Sequence, residues 1–337
     1  MTIKQIAQAL HFSVGTVSMG LADSPKLKAE TRREIQAYAR RIGYRPNYSA
    51  KCLVMGKTLT IGVLLPSLAD PFYSEMIEEL RRLMDQEDYA GLFFAAGTPE
   101  EHQKARENIL RRGVDGVISK PMTPEEVSRW QQENIPVVFC DEDEPRADMD
   151  VVRLDEEQGG RLVASHFFGL GHTAMGFIGP TGRLAKRYQG YVAELARRGM
   201  AVPDKWIVDG LGLLQVGYEG LRKILLQGTP PTAIFCHNDM TAMGALRAAA
   251  DAGLRIPEDL AVVGFDDIKL ARYTIPALTT VKFPIAGVSQ RLVEILLEKM
   301  SSQGPWKAKK MIFEPRLTIR ESSGTAGQRA DRVEEEN

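Results

Sequence analysis

Residues 13–21 read Ser13-Val14-Gly15-Thr16-Val17-Ser18-Met19-Gly20-Leu21, and ahead of them stands Ile3-Lys4-Gln5-Ile6-Ala7. In the upstream piece Ile3, Ile6, Ala7 and Leu10 recur at i, i+3, i+4 and i+7, which predicts one apolar face of a helix. Thr2 with Gln5 three residues on reads as a capping box that fixes the helix start. His11-Phe12 breaks the pattern, and Ser13 is placed to cap a second short helix with Val14, Val17 and Leu21 turned inward. Asp23-Ser24-Pro25 reads as a loop. A third helix is expected from near Glu30, with Ile35, Tyr38 and Ile42 on one face and Gly43 closing it. Two short helices joined by a tight turn and backed by a third is the helix-turn-helix plan, whose second helix enters the major groove of DNA.

The charge distribution agrees with that plan once it is divided. The whole chain of 337 residues has 43 Lys and Arg against 44 Asp and Glu, a net charge of −1 that taken alone speaks against a nucleic-acid partner. Residues 1–57, however, hold ten Lys and Arg and only Asp23, Glu30 and Glu34 as acids, a net of +7, which leaves −8 on the other 280 residues. A small basic head on an acidic body fits a nucleic-acid-binding module fused to something else. The length suggests about two domains. The start lacks the apolar core of a secretory signal, and no run reaches the roughly 18 apolar residues of a membrane span. A cytoplasmic protein is therefore expected, with Cys52, Cys140 and Cys236 as buried thiols rather than disulfides.

The spaced series Ile3–Ala7, Ser13–Ser18, Glu30-Thr31-Arg32 and Gly43-Tyr44-Arg45-Pro46-Asn47 resembles the headpiece of lactose/galactose-repressor-type transcription regulators. The resemblance implies that Val14 and Gly15 begin the recognition helix and that Ser13, Thr16 and Ser18 contact phosphates and bases. It places Thr2, Met19, Thr31, Tyr44 and Asn47 in the DNA interface as well. Met19 stands where the family usually has Arg, the commonest bidentate reader of guanine, so that contact is absent. Val14 can pack on a thymine methyl, and Gly15 has no side chain to read with. Lys28 replaces the usual Ser cap of the third helix and cannot accept from its N–H groups.

Residues Asn47–Met55 resemble the family's hinge helix, which orders on specific DNA. Leu53 matches the leucine that wedges between base pairs in the minor groove, and Lys51 keeps a cation for phosphate. Read without the resemblance, Leu53 is an ordinary helix residue touching the body. Gly56-Lys57-Thr58 is not a phosphate loop, because Lys51 stands where the first glycine belongs and a strand follows the motif instead of preceding it.

From Thr58 onward short β-rich runs alternate with helical stretches. The runs include Thr60–Leu65, Gly91–Ala95, Gly116–Ser119, Pro136–Cys140, Met175–Ile178, Thr232–Cys236 and Leu260–Phe265. Helical patterns between them include Tyr73–Glu87, Glu100–Arg112, Glu156–Leu170, Lys186–Arg198 and Met240–Ala252. This alternation argues an α/β body of mainly parallel, doubly wound sheets, and the number of units favours two lobes. The expected division is residues 1–46 as headpiece, 47–57 as hinge, 58–321 as a two-lobed effector and dimerisation domain, and 322–337 as a disordered tail.

Open α/β sheets bind ligands beyond the carboxyl ends of their strands. Those positions hold Asp70 and Phe72, Asp141, Arg187, Asn238 and Asp266. Aromatic, amide, cationic and carboxylate groups converging on one cleft suit a small polar ligand, sugar-like or nucleobase-like, with a sugar favoured. The body also resembles the same family's effector domain, which is similar to periplasmic sugar-binding proteins. Matching segments include Pro71-Phe72, Arg187–Gly190, Asn238-Asp239 and Val263–Asp267, and the resemblance implies that Phe72, Arg187, Asn238 and Asp266 contact the effector. Two readings stand for Asp266 and Asn238, ligand contact or helix and turn caps. Phe72 also reads as core, and Arg187 as an ion-pair partner, although a cation at the head of a helix opposes its dipole and a ligand would explain it better. The family's aromatic near the second lobe's cleft is replaced by Gly212-Leu213-Leu214.

Catalysis finds no support. GxGxxG, HExxH, CxxC and GxSxG are all missing from the positions that would use them, so no cofactor or metal is expected. Cys236 and His237 are neighbours on a strand and point to opposite faces. Asp141–Glu144 reads as a solvated acidic loop, and the histidines are scattered. The resulting expectation is a ligand-responsive repressor bound as a homodimer to a near-palindromic operator in double-stranded DNA. Its rivals are a small-molecule enzyme or a solute-binding protein with a basic arm.

Overall fold

The computed structural model describes residues 2–44, 52, 56–120, 123–133, 135–141, 147–182, 185–211 and 213–324. Asn47, Lys51, Leu53, Gly212 and residues 142–146 lie outside the described residues. The chain divides into two compact units, Met1–Leu59 and Thr60–Asn337.

The first unit contains α1 (Ile3–Ala9), α2 (Val14–Leu21) and α3 (Ala29–Arg41). Thr2 N–H donates to Gln5 Oε1 at 2.8 Å, and Ser13 Oγ accepts from Thr16 N–H at 3.0 Å, so both expected helix starts are built. Lys28 at the head of α3 makes no side-chain cap, and Gly43 after its end takes φ +64°, a left-handed position suited to glycine. Ile6, Ala7, Val17, Ile35 and Ala39 form the core. Gly20 is required there, since a Cβ on it would stand 2.5 Å from Ile35 Cδ1. Val14 is not an inward residue as its spacing suggests but 43% exposed. It is the first residue of α2, and Cα–Cβ bonds tilt toward a helix N-terminus, which carries its side chain off the end of the packed face.

The second unit is built on two six-stranded sheets. The first runs β11-β5-β4-β3-β1-β2, all parallel, from β1 (Thr60–Leu65), β2 (Ala90–Ala95), β3 (Gly116–Ser119), β4 (Val137–Cys140), β5 (Val151–Leu154) and β11 (Lys310–Phe313). The second runs β12-β10-β9-β8-β6-β7, from β6 (Met175–Ile178), β7 (Ile207–Val208), β8 (Ala233–Cys236), β9 (Ala261–Asp266), β10 (Thr279–Lys282) and β12 (Arg316–Thr318). Only β12, paired with β10, is antiparallel among these strands. The chain therefore passes from the first sheet to the second after β5, returns for β11, and crosses once more to β12.

Between strands lie α4 (Pro71–Gln86), α5 (Pro99–Arg112), α6 (Pro124–Gln132), α7 (Glu156–Gly169), α8 (Lys186–Arg197), α9 (Leu214–Leu225), α10 (Asp239–Asp251) and α11 (Ile285–Ser301). Strands buried on both faces explain why the runs of β1, β3, β4, β6, β8 and β9 read as continuous apolar stretches without alternation, whereas the edge strand β2 is half-buried. Two helix pairs touch through backbone. A Cβ on Gly160 of α7 would lie 2.0 Å from Arg187 O, and one on Gly190 of α8 would lie 1.8 Å from Glu157 O. Gly217 of α9 and Gly244 of α10 repeat this contact at 1.8 and 1.9 Å from Thr241 O and Leu214 O.

The expected tail begins too early. Ser322 and Ser323 are buried, with Ser322 Oγ donating to Val262 O at 2.6 Å and accepting from Thr279 N–H at 2.8 Å. Ser323 Oγ also meets His166 Nε2 at 2.8 Å. A Ser-Ser-Gly composition reads as linker, but the Ser322 hydroxyl ties the backbone of β9 to the start of β10. Residues 325–337 lie outside the described residues.

Candidate functional site

The tight α7–α8 crossing decides the geometry of the site. It brings the N-termini of the two helices together, so that Glu156 at the head of α7 meets Arg187 at the head of α8. Arg187 donates through Nη2 and Nε to Glu156 Oε1 at 2.6 and 2.8 Å, and through Nη1 to His237 O at 2.8 Å. Its Nη2 lies 3.1 Å from Asp266 Oδ1, and its guanidinium sits 3.9 Å from the centre of the Phe265 ring. These carboxylates explain a buried cation at a helix head, so its position does not by itself require a ligand. Burial opposes the Arg187 charge, but Asp266 and Glu156 outweigh it and hold the group protonated.

Asp266 ends β9 with φ +108° and Asp267 follows at +55°. Two successive non-glycine residues in this region store backbone strain of roughly 1–3 kcal/mol each. The turn is braced from below by Asp239, which accepts from Ile268 N–H at 2.9 Å and from Thr280 Oγ1 at 2.5 Å. Burial raises the Asp266 carboxyl to about 7, against the pull of Arg187 and with the help of Glu156, Asp70 and Asp141. Glu156 goes the other way. Burial acts to raise it, but Arg187 and Lys120 hold it below the usual range, so of the two carboxylates on Arg187 it is Asp266 that takes a proton near neutrality.

Beside this triad, Lys120 follows β3 and pairs with Asp141 Oδ2, where Asp141 takes φ +59° after β4. Burial works against the Lys120 charge, but Asp141, Tyr73 and Glu156 raise it well above an ordinary amine. His237, after β8, is held neutral well below its ordinary value by burial and by the Arg187 and Lys120 charges. Two buried polar atoms here, Asp266 Oδ1 and His237 Nδ1, have no hydrogen-bond partner among the described residues. Arg187 is close enough to Asp266 for an ion pair without being aligned for that bond.

The expected residues fall into place unevenly. Asp70 caps α4, accepting from Phe72 N–H at 2.9 Å. Phe72 is buried with its ring edge-on to Tyr73 and Phe283 at 5.0 and 4.9 Å, so it is a packed wall. Asn238 caps α10, its Oδ1 accepting from Thr241 N–H and Oγ1 at 2.9 and 2.8 Å. Glu156, Lys120, Tyr73 and His237 were missed. Lys120 and His237 directly follow strands, the same positional signal that marks Asp141. Glu156 carries no such mark, because its role depends on which helix crosses α7.

On the first unit, Val14, Gly15, Ser18 and Met19 are exposed along one face of α2. Ser13 and Thr16 share a hydroxyl contact of 2.8 Å, Thr31 is half-buried in the first turn of α3, and Tyr44 packs against the three-helix core. The thiols of Cys140 and Cys236 are buried and their ionisation is pushed up, Cys140 to about 12, while Cys52 is half-buried. Among the described residues no group of His, Cys, Asp and Glu could hold a metal ion, and no helix is long and apolar enough to cross a membrane.

A family described as "Periplasmic binding protein-like domain" matches residues 164–323, from within α7 through the second sheet, with α11 and β11 included. The HTH-type transcriptional repressor CytR of Escherichia coli (strain K12) is 30% identical over 308 residues, covering 90% of both chains. The chain belongs to the lactose/galactose-repressor (LacI/GalR) family. A second member, the HTH-type transcriptional repressor PurR of Klebsiella pneumoniae (strain 342), is 31% identical over 329 residues, covering 95% of this chain and 96% of PurR. The crystal structure of the Lac repressor dimer bound to operator and the anti-inducer ONPF superimposes with a TM-score of 0.85 at 26% identity, over 96% of this chain and 99% of that one. As a LacI/GalR member the chain is a DNA-binding transcription regulator and not an enzyme. Its α/β body with two mainly parallel sheets and its N-terminal helices are those of the family.

Proposed function

We propose that the protein is a repressor that binds a near-palindromic operator as a homodimer and answers to a small polar, sugar-like effector held between the two sheets. The observation that carries the effector reading is the pair of buried atoms without a hydrogen bond among the described residues, Asp266 Oδ1, which has only its ion pair with Arg187, and His237 Nδ1, beside the Arg187–Glu156 pair. Buried polar atoms are nearly always hydrogen-bonded, and a hydroxyl of a polyol can donate to one and accept from a neighbour. Asp70, Phe72, Asp141 and Asn238 complete the proposed pocket around Arg187 and Asp266. Thr2, Ser13, Val14, Gly15, Thr16 and Ser18 are the proposed DNA contacts of α1 and α2. Met19, Thr31, Tyr44, Asn47, Lys51 and Leu53 extend the interface. Operator binding places the protein in the cytoplasm.

The test selects bound fragments of the host genome with the intact chain, then titrates monosaccharides and nucleosides against the complex. Asp266→Ala is expected to keep the selected fragments and lose the ligand response. Unchanged ligand affinity in that variant removes Asp266 from the site.

A further inference from the structure

We infer that α2 discriminates its half-site chiefly through thymine C5-methyl groups, by apolar contact, and not by the bidentate hydrogen bonds that amide or guanidinium side chains make to base edges. The inference rests on the reading of this chain as an operator-binding regulator, and it names the chemistry of that recognition.

Val14, Gly15, Ser18 and Met19 stand at i, i+1, i+4 and i+5, the spacing that gathers four residues, three of them with side chains, on one face of a helix. They are the exposed residues of α2, whereas Val17 and Gly20 are buried and Thr16 and Leu21 half-buried. Val14 is 43% and Met19 37% exposed, the two exposed large apolar side chains among the described residues of this unit. The face therefore presents one hydroxyl, Ser18, and no amide or charged group. The bidentate and charged base contacts of the major groove rely on Arg, Lys, Asn, Gln or a carboxylate, and none is available on this helix, which leaves single hydroxyl contacts such as that of Ser18. The thymine methyl is the one major-groove feature that an apolar side chain recognises.

Gly15 adds an independent observation. Its backbone is helical, and a Cβ there would find only Ser13 Oγ, at 3.7 Å. Nothing in the fold requires glycine at that position, in contrast to Gly20. A helix glycine that packing does not demand lowers helix stability relative to alanine and leaves the surface flat for a closely approaching partner. The net charge of +7 on residues 1–57 makes a nucleic-acid duplex the complementary partner. Lys4, Gln8 and His11 line the concavity beside Val14, so the polar groups flank the apolar face and are placed for the phosphate backbone.

The experiment uses the intact chain and duplexes that it selects from a random-sequence library. Each thymine of a selected half-site is then replaced in turn by uracil, which lacks only the methyl. At one or two positions per half-site uracil is expected to weaken binding about fourfold, the worth of one buried methyl-sized group. Exchanging the same T·A pair for C·G costs at least as much, and 5-methylcytosine recovers part of the loss. Met19→Ala and Val14→Ala each remove the uracil penalty at one position, a coupling that needs no assumption about the fold of either variant beyond its binding DNA. Uracil tolerated at every position, with C·G and its methylated form equally damaging, overturns the inference while leaving sequence-specific binding intact. Enrichment of no sequence at all overturns the regulator reading and this inference together.

Discussion

Gly190→Ala should disable the effector site from a distance. The new Cβ would lie 1.8 Å from Glu157 O, 2.7 Å from its carbonyl carbon and 3.0 Å from its Cα. All three are backbone atoms of a packed helix, so no side-chain rotation relieves the clash. To reach an ordinary contact distance α7 and α8 must part by more than about 1.5 Å. The Arg187–Glu156 hydrogen bonds, 2.6 and 2.8 Å long, then exceed bonding range unless the side chains re-form them. Overpacking at such a point costs about 3 kcal/mol, the upper end of its usual range, and alanine's better helix propensity returns about 1 kcal/mol. The net of about 2 kcal/mol corresponds to a fall of about 4 °C in Tm for a unit of this size. Ligand response should weaken about tenfold, the worth of one hydrogen bond to a charged group. Differential scanning calorimetry and operator anisotropy with ligand measure the two effects. Gly169→Ala, on the same helix as Gly160 but with nothing within 4 Å of its Cβ, is the control and should hold or raise Tm. A Gly190→Ala protein within about 1 °C of the parent, with ligand response intact, refutes the claim that this crossing positions Arg187.

The Asp266 carboxyl, raised by burial from an ordinary 3.8 to about 7, ionises more reluctantly in the folded chain than in the unfolded one. Its stabilising contribution is complete below the unfolded value and is lost as pH rises through about 7. Urea unfolding at several pH values should show the parent losing stability across that window relative to Asp266→Asn, and parallel profiles would reject the assignment. Leu53→Ala, chosen from the resemblance of residues 47–55 to a hinge helix, should weaken specific DNA binding far more than non-specific binding, and equal losses on both DNAs would count against the hinge.

The local signals in the sequence were strong where one element suffices. Thr2 with Gln5, Ser13 before Thr16, the missing cap at Lys28 and the left-handed Gly43 depend on residues a few positions apart, and each is found as read. The apolar runs of β1, β3, β4, β6, β8 and β9 are equally direct, because strands buried on both faces announce themselves. Short edge strands such as β7 and β12 carry no such run. Partner choice across elements was harder to read. Glu156 looks like any acid in the first turn of a helix until Gly160 and Gly190 put Arg187 against it. Val14 shows the opposite failure, since its apolar character and spacing suggested core while its place at the head of α2 turned it outward. Ser322 and Ser323 have the composition of a linker, yet their hydroxyls meet Thr279, Val262 and His166, partners more than forty residues away in the chain.

The order of strands in the first sheet bears on how the chain is made. Its edge strand β11 and its covering helix α11, which packs on α4, β3, β4 and β5, come from residues 285–313, after the second sheet has received β6 through β10. A ribosome that has delivered the first 155 residues has released five strands of that sheet with one face and one edge still bare. Unpaired edges and uncovered apolar faces are the features that drive nascent chains to associate. The first lobe to be begun thus stays open until all but the last strand of the second sheet has been made. Chains truncated anywhere before Phe313 should be substrates for chaperones or proteases and not half-sized binding domains.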